Sequence, residues 1–168
     1  AIMLMEDFKN AIPTFAILKH NNACGFASRK NLVDAYSSAL EADPVSAFGG
    51  VLISNKEIDL QTATLINNLF CEVLIAPSFS FEALEILKSK KNRIILKQNN
   101  TIFPDKIVRS CLNGTLIQKR DSSVENIESF ELITNHSPTS KQMEDLYFAN
   151  KLAKHTKSNT IVLVKNQQ

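Results

Sequence analysis

Apolar residues along this chain keep two rhythms. Short continuous apolar runs stand at 14 to 18 (TFAIL), 49 to 54 (GGVLIS), 73 to 76 (VLIA) and 93 to 97 (RIILK). Runs of this length and β-branched content read as strands buried on both faces. Between them the spacing changes to that of a helix. Residues 31 to 42 place Leu32, Ala35, Tyr36, Ala39 and Leu40 on one face, with Asn31 as N-cap and Asp34 in the first turn. Asp59 caps a second helical pattern over 60 to 70, and Ser80 precedes a third over 81 to 90. Strands alternating with helices predict βαβ units. The expected fold is a three-layer α/β/α domain with a mixed, mostly parallel sheet.

The alternation stops near residue 100. Residues 106 to 120 form two β-type runs around Asn113-Gly114, a strong hairpin signal. This predicts one antiparallel hairpin added to the sheet. Residues 121 to 138 are polar and read as loop. Thr139 with Gln142 makes a capping box for a helix to about Ala153, with Met143, Leu146, Tyr147 and Leu152 apolar. A last strand is predicted over 160 to 164 (TIVLV).

The remaining composition narrows the function classes. A chain of 168 residues, 44% hydrophobic and 21% charged, suits one globular domain with a real core. A net charge of +2 gives no reason to expect nucleic acid or a membrane surface as partner. The basic cluster KSKKNR at 88 to 93 reads as a solvated helix end, where cations complement the helix dipole. Cys24, Cys71 and Cys111 lie far apart, odd in number and without a CxxC pair, which fits a reducing, cytoplasmic setting. No apolar run is long enough to span a bilayer, and the first residues lack the basic lead of a signal peptide. Both ends read as cut, so a piece of a longer chain is expected.

In α/β sheets ligands gather at strand ends. Four polar groups fall there: Lys19-His20 after the first strand, DPVSAFGG (43 to 50) before the second, Glu72 before the third, and KSN (157 to 159) before the last. Histidine titrates near neutral pH and can move a proton. It shares a pocket with Lys19 only if the backbone turns, which Asn21, Asn22 and Gly25 permit; otherwise the pair marks a strand leaving the core. Ser46 and the amides around Gly49 and Gly50 can approach a ligand closely, and Phe48 can stack on a planar ring or plug the core. Glu72 is either an exposed strand start or aimed into a site. Asn159 offers amide donors and an acceptor, or simply caps a helix. A zinc site is rejected: a zinc deaminase needs H-x-E and a later P-C-x-x-C, and His20 is followed by Asn22 with no CxxC anywhere. A Cys24–His20 nucleophilic pair lacks an orienting third group.

Taken in order, KHNNACG (19 to 25), DPVSAFGG (43 to 50), EVLIAP (72 to 77) and KSNTIVLVKN (157 to 166) resemble the transformylase half of a bifunctional purine-biosynthesis family. That family joins aminoimidazole carboxamide ribonucleotide (AICAR) transformylase to IMP cyclohydrolase. The resemblance covers nearly the whole chain and implies a cytidine-deaminase-like α/β/α fold without zinc. It implies formyl transfer from 10-formyltetrahydrofolate, as cosubstrate, to the 5-amino group of AICAR. By resemblance, His20 is the general base or proton shuttle. Lys19 is the cation facing developing charge. Asn159 positions the nucleotide. Ser46, Phe48 and Gly49 belong to a folate and nucleotide loop, and Glu72 lies near the nucleotide.

The chain departs from the family at Ala23, where proline is common. The resemblance makes residues 1 to 168 a first transformylase subdomain. The second subdomain, an upstream Arg-Tyr-Gly segment that handles phosphate, and the cyclohydrolase domain are not in the sequence. Family members are homodimers with shared active sites, so the chain alone is expected to be inactive. Two readings compete: a non-catalytic α/β nucleotide-binding or structural module, and a deaminase that has lost its metal motif.

Overall fold

A computed structural model describes residues 1–100 and 102–168. Five strands form the main sheet: β1 (Thr14–Lys19), β2 (Asn22–Ser28), β3 (Gly50–Ser54), β4 (Cys71–Ala76) and β5 (Ile94–Lys97), in the order β2-β1-β3-β4-β5. β1 pairs antiparallel with both β2 and β3, whereas β3–β4 and β4–β5 pair parallel. Four strands therefore run one way and β1 alone runs the other. This is the expected α/β architecture, with the direction of β1 the one exception to a parallel sheet.

Both faces of β1, β3 and β4 are covered, which is why their runs are apolar without alternation. The edge strand β5, expected to be buried on both faces, instead leaves Ile94 and Leu96 53% and 44% exposed. On one face Phe15, Ile17, Leu52 and Leu74 pack against α2 (Leu32–Ala42), α3 (Leu60–Ile66) and α4 (Phe81–Lys88). On the other face Ala16, Leu18, Ile53 and Ile75 meet α1 (Ile2–Glu6) and α5 (Ser140–Lys154). There Phe8, Phe26 and Phe148 form an aromatic cluster with centroids 4.6 to 5.4 Å apart. The expected helix caps form. Asn31 accepts from Asp34 N at 2.8 Å, Asp59 from Thr62 N at 2.7 Å and Ser80 from Ala83 N at 3.2 Å. Thr139 and Gln142 bond reciprocally as a capping box.

Beyond α1, which the sequence reading lacks, four larger local features differ from it. The first is β2, whose residues read as a turn because Asn and Gly disfavour strands. They instead return along β1 through a two-residue turn, His20-Asn21, with φ of 52° and 67°. Two consecutive left-handed residues are the signature of the turn whose twist matches a hairpin. Gly25 is required within β2, because a Cβ there would lie 1.9 Å from the Ala39 carbonyl oxygen of α2.

Second, α3 stops at Ile66 instead of Phe70, and β4 starts at Cys71 instead of Val73. The buried Arg93 bonds the link that follows α3 and the end of α4: its guanidinium donates to Asn67 Oδ1 at 3.0 Å, Leu69 O at 3.3 Å and Leu87 O at 3.4 Å. Third, β6 (Lys106–Cys111) and β7 (Gly114–Lys119) pair only with each other and do not extend the main sheet. Their turn is Leu112-Asn113, one residue earlier than expected, and Val108, Leu116 and Ile117 are exposed. A hairpin with both faces exposed has no apolar side to dock onto the sheet.

Fourth, residues 160–164 form no strand. Val162 and Val164 pack on the aromatic face, while Ile161 and Leu163 are 87% and 88% exposed. The apolar run is real, but its backbone has no ladder partner, and side chains hold the segment instead.

α1 and α5 are joined by a partly buried ionic contact. Asp7 accepts from Lys154 Nζ at 3.0 Å and meets His155 Nε2 at 2.8 Å. Burial pushes the Asp7 carboxyl up, but the bonds from His155 and Lys154 outweigh it and hold it below its usual value. A lowered folded-state pKa stabilises the fold above the unfolded-chain pKa of about 4, and the gain disappears as pH falls through the folded value. Asp7→Asn is therefore expected to cost roughly 1–3 kcal/mol in urea unfolding at pH 7. The difference from the parent should close as the pH is lowered below about 4.

Candidate active site

The reversal of β1 decides where the polar groups meet. Its carboxyl end lies beside the amino ends of β3 and β4, since Leu18 pairs with Val51 and Gly50 with Cys71. One strand exit and two strand starts thus share an edge, and they carry Lys19-His20, Ser46–Gly50 and Glu72.

Lys19 is half-buried at the end of β1, and its ammonium donates to the Phe48 carbonyl. A Cβ at Gly49 would stand 3.1 Å from Lys19 Nζ and 3.5 Å from the Phe70 ring. Gly49 itself has φ of +68°, and its N–H donates to Phe70 O at 2.8 Å. The site glycine is thus fixed by conformation and by proximity. Phe48 does not plug the core. It is 62% exposed and lies beside Phe70, centroids 5.0 Å apart, so an aromatic pair stands next to the loop that the lysine bonds.

His20 is exposed at the tip of the hairpin turn, in the left-handed region. Strained backbone of this kind persists only where surrounding structure holds it, and it clusters at functional sites. Glu72 is exposed and is the unmatched residue of a bulge, since Gly50 pairs with Cys71 and Val51 with Val73. Bulges re-aim side chains at sheet edges. Asn159 is exposed on the segment after α5. That segment reaches the turn through Lys157 N, which donates to Asn22 Oδ1 at 3.2 Å.

Ser46 is engaged within its own loop. Its N–H donates to Asp43 Oδ1 at 2.9 Å. The Ser46 side chain and backbone hydrogen bonds hold the Asp43 carboxyl below its usual value. Burial pushes the Cys24 thiol up, the Asp43 charge adds to this, and Lys19 opposes it. A thiol raised in this way is a poor nucleophile. Direct contact therefore joins Lys19, Phe48 and Gly49, whereas His20, Glu72 and Asn159 share their edge through register and the Asn22 bond.

Among the described residues no three His, Cys, Asp or Glu side chains converge where a metal could sit. The opposite edge, at the carboxyl ends of β3 and β4, has a cavity of about 340 Å³ lined by Ser54, Asn55, Pro77 and Gln98. That is the usual ligand edge of a parallel sheet, but it holds none of the residues singled out above.

Compared with known proteins, the chain matches the AICARFT/IMPCHase bienzyme family over residues 1–168. The chain belongs to this family. It is 50% identical over 168 residues to the bifunctional purine biosynthesis protein PurH of Bacteroides thetaiotaomicron, covering 100% of this chain and 33% of that protein. It is 46% identical over 171 residues to the PurH of Ruminiclostridium cellulolyticum (99% and 33%), and 40% identical over 169 residues to that of Chlorobium phaeobacteroides (100% and 32%). The chain thus spans about a third of the length of the curated relatives it matches.

Within this member of the family, two residues of the site escaped the sequence reading. The helical pattern over 60 to 70 makes Phe70 only the last residue of a helix. The signal was available, since an aromatic followed by Cys71-Glu72 stands at a helix-to-strand junction. Asn22 was read only as a turn-former, and nothing local announces that it reaches residue 157. Gly49→Ala is expected to cost roughly 1–3 kcal/mol, from the left-handed φ alone. It should also displace Lys19 Nζ. Urea unfolding and a crystal structure of the variant check both effects.

Proposed function

We propose that this chain carries the proton-handling half of an AICAR formyltransferase site. The observation that supports it most is the meeting of Lys19 with the Phe48-Gly49 loop directly beside the strained His20 turn. Each of the four family motifs has a residue at that edge: Lys19, Gly50, Glu72 and Lys157. The relatives are named only as bifunctional proteins of purine biosynthesis. The assignment to formyl transfer rests on the resemblance of the four motifs.

In this reading the 5-amino group of AICAR attacks the formyl carbon of 10-formyltetrahydrofolate. The amine is a weak nucleophile, so its proton must leave as the C–N bond forms. His20 takes that proton, and the proton passes to the folate nitrogen as its bond to the formyl carbon breaks. The products are formylated AICAR and tetrahydrofolate. Lys19 stabilises negative charge that develops on the formyl oxygen or the leaving group. Phe48 offers a face for the planar folate ring, and Gly49 leaves room for close approach. Ser46 shapes this loop through Asp43. Asn159 and Glu72 address the nucleotide. The folate is a cosubstrate, and the chemistry calls for no metal.

The rest of a full-length protein completes the site. By family resemblance it forms a homodimer, and the three unpaired cysteines fit a cytoplasmic setting. A chimera in which this chain replaces the matching third of the Bacteroides protein is the test. His20→Ala should lower kcat about 10²- to 10⁴-fold. Lys19→Ala should lower it about 10²- to 10³-fold. Rates within a few-fold of the parent chimera would remove both roles. An inactive parent chimera that still folds would favour a non-catalytic module.

A further inference from the structure

The segment from Lys157 to Gln168 has no regular structure, yet it is held at both ends. At its far end the Asp145 carboxylate of α5 accepts from Asn166 N at 2.8 Å and Gln167 N at 2.7 Å. Both of these residues have φ of 57°, so the carboxylate satisfies two successive amides of a left-handed turn. Arg29, just after β2, donates to Asn166 O at 2.9 Å, Gln167 O at 3.3 Å and Gln168 Oε1 at 2.6 Å. Ser28 N donates to Gln167 O at 3.1 Å. At the near end one bond does the work: Asn22 Oδ1 accepts from Lys157 N at 3.2 Å.

Asn22 is also the strand partner of Lys19 across the His20-Asn21 turn. The same residue therefore closes the turn that presents His20 and fixes the backbone two residues before Asn159. We infer that Asn22 is a positioning residue that sets Asn159 against the Lys19-His20 turn, with Asp145 and Arg29 anchoring the distal end. The inference rests on the formyl-transfer reading of this site. Since the segment lacks a ladder, its ends are placed by these side-chain bonds, with Val162 and Val164 packed between them; loss of the Asn22 side chain frees Asn159, while the backbone pairing of Asn22 with Lys19 needs no side chain. Even small displacements matter, because about 1 Å of misplacement can cost 10²-fold in an oriented reaction.

The test has a physical and a kinetic arm. In this chain Asn22→Ala should speed hydrogen exchange at the Lys157 amide, and Asp145→Ala should do so at Asn166 and Gln167. In the chimera, Asn159→Ala first shows whether Asn159 holds the nucleotide. Asn22→Ala should then raise the AICAR KM about 10- to 100-fold while leaving the folate KM within about twofold. Asn22→Asp keeps the acceptor for Lys157 N and should restore the AICAR KM. Combined with Asn159→Ala, Asn22→Ala should add nothing further, because it acts through that residue.

An AICAR KM unmoved by Asn22→Ala while Asn159→Ala raises it would overturn the inference and leave the site reading intact. So would a double variant whose effects multiply. A silent Asn159→Ala would overturn the role of Asn159 and the inference together.

Discussion

The site depends on one backbone constraint, the two-residue turn at His20-Asn21. Both residues sit in the left-handed region, which returns the chain at once along β1, and β1 also lies antiparallel to β3 on its other side. Had β1 been parallel to β3, its carboxyl end would lie at the opposite edge, beside Asn55 and Pro77. The reversal instead brings Lys19 within reach of the Phe48 carbonyl. A non-glycine residue in this region is strained, and here the β1–β2 ladder and the packing of Gly25 under α2 hold it in place.

Around that turn the surrounding residues are tuned for close approach. Gly49 occupies a conformation and a space that a side chain would contest, between Lys19 and Phe70. Arg93 donates to Asn67 Oδ1 and Leu69 O in the link after α3, where Phe70 lies beside Phe48. The bulge at Glu72 breaks the ladder where β4 begins. Each is a local departure from regular structure, and all cluster on one edge. The far edge, by contrast, continues the regular parallel pairing of β3, β4 and β5.

Much of the fold was legible because it follows from local rules. Continuous apolar runs marked strands covered on both faces, and Asn31, Asp59, Ser80 and Thr139 marked helix starts through their caps. Lys19, His20, Gly49 and Glu72 were legible as polar residues at strand ends. The direction of β1 was not, because pairing sense is set between segments. β2 was hidden by its asparagines and glycine, which suit a turn and a close helix contact better than a strand. The run at 160 to 164 misled for the opposite reason: its composition suits a strand, but strand formation needs a partner, and the segment is held instead by Val162 and Val164 on the aromatic face and by Asp145 and Arg29 at residues 166 and 167. Asn22 was invisible because its bond spans the length of the domain.

The most direct test of the account is a map of where the nucleotide touches this chain. AICAR titrated into isotope-labelled protein, followed by amide chemical shifts, reports both sheet edges at once. The account predicts shifts at Lys19 to Asn22, Ser46 to Gly50, Cys71-Glu72 and Lys157 to Asn159. Shifts confined to Ser54, Asn55 and Gln98, at the carboxyl ends of the parallel strands, would contradict it.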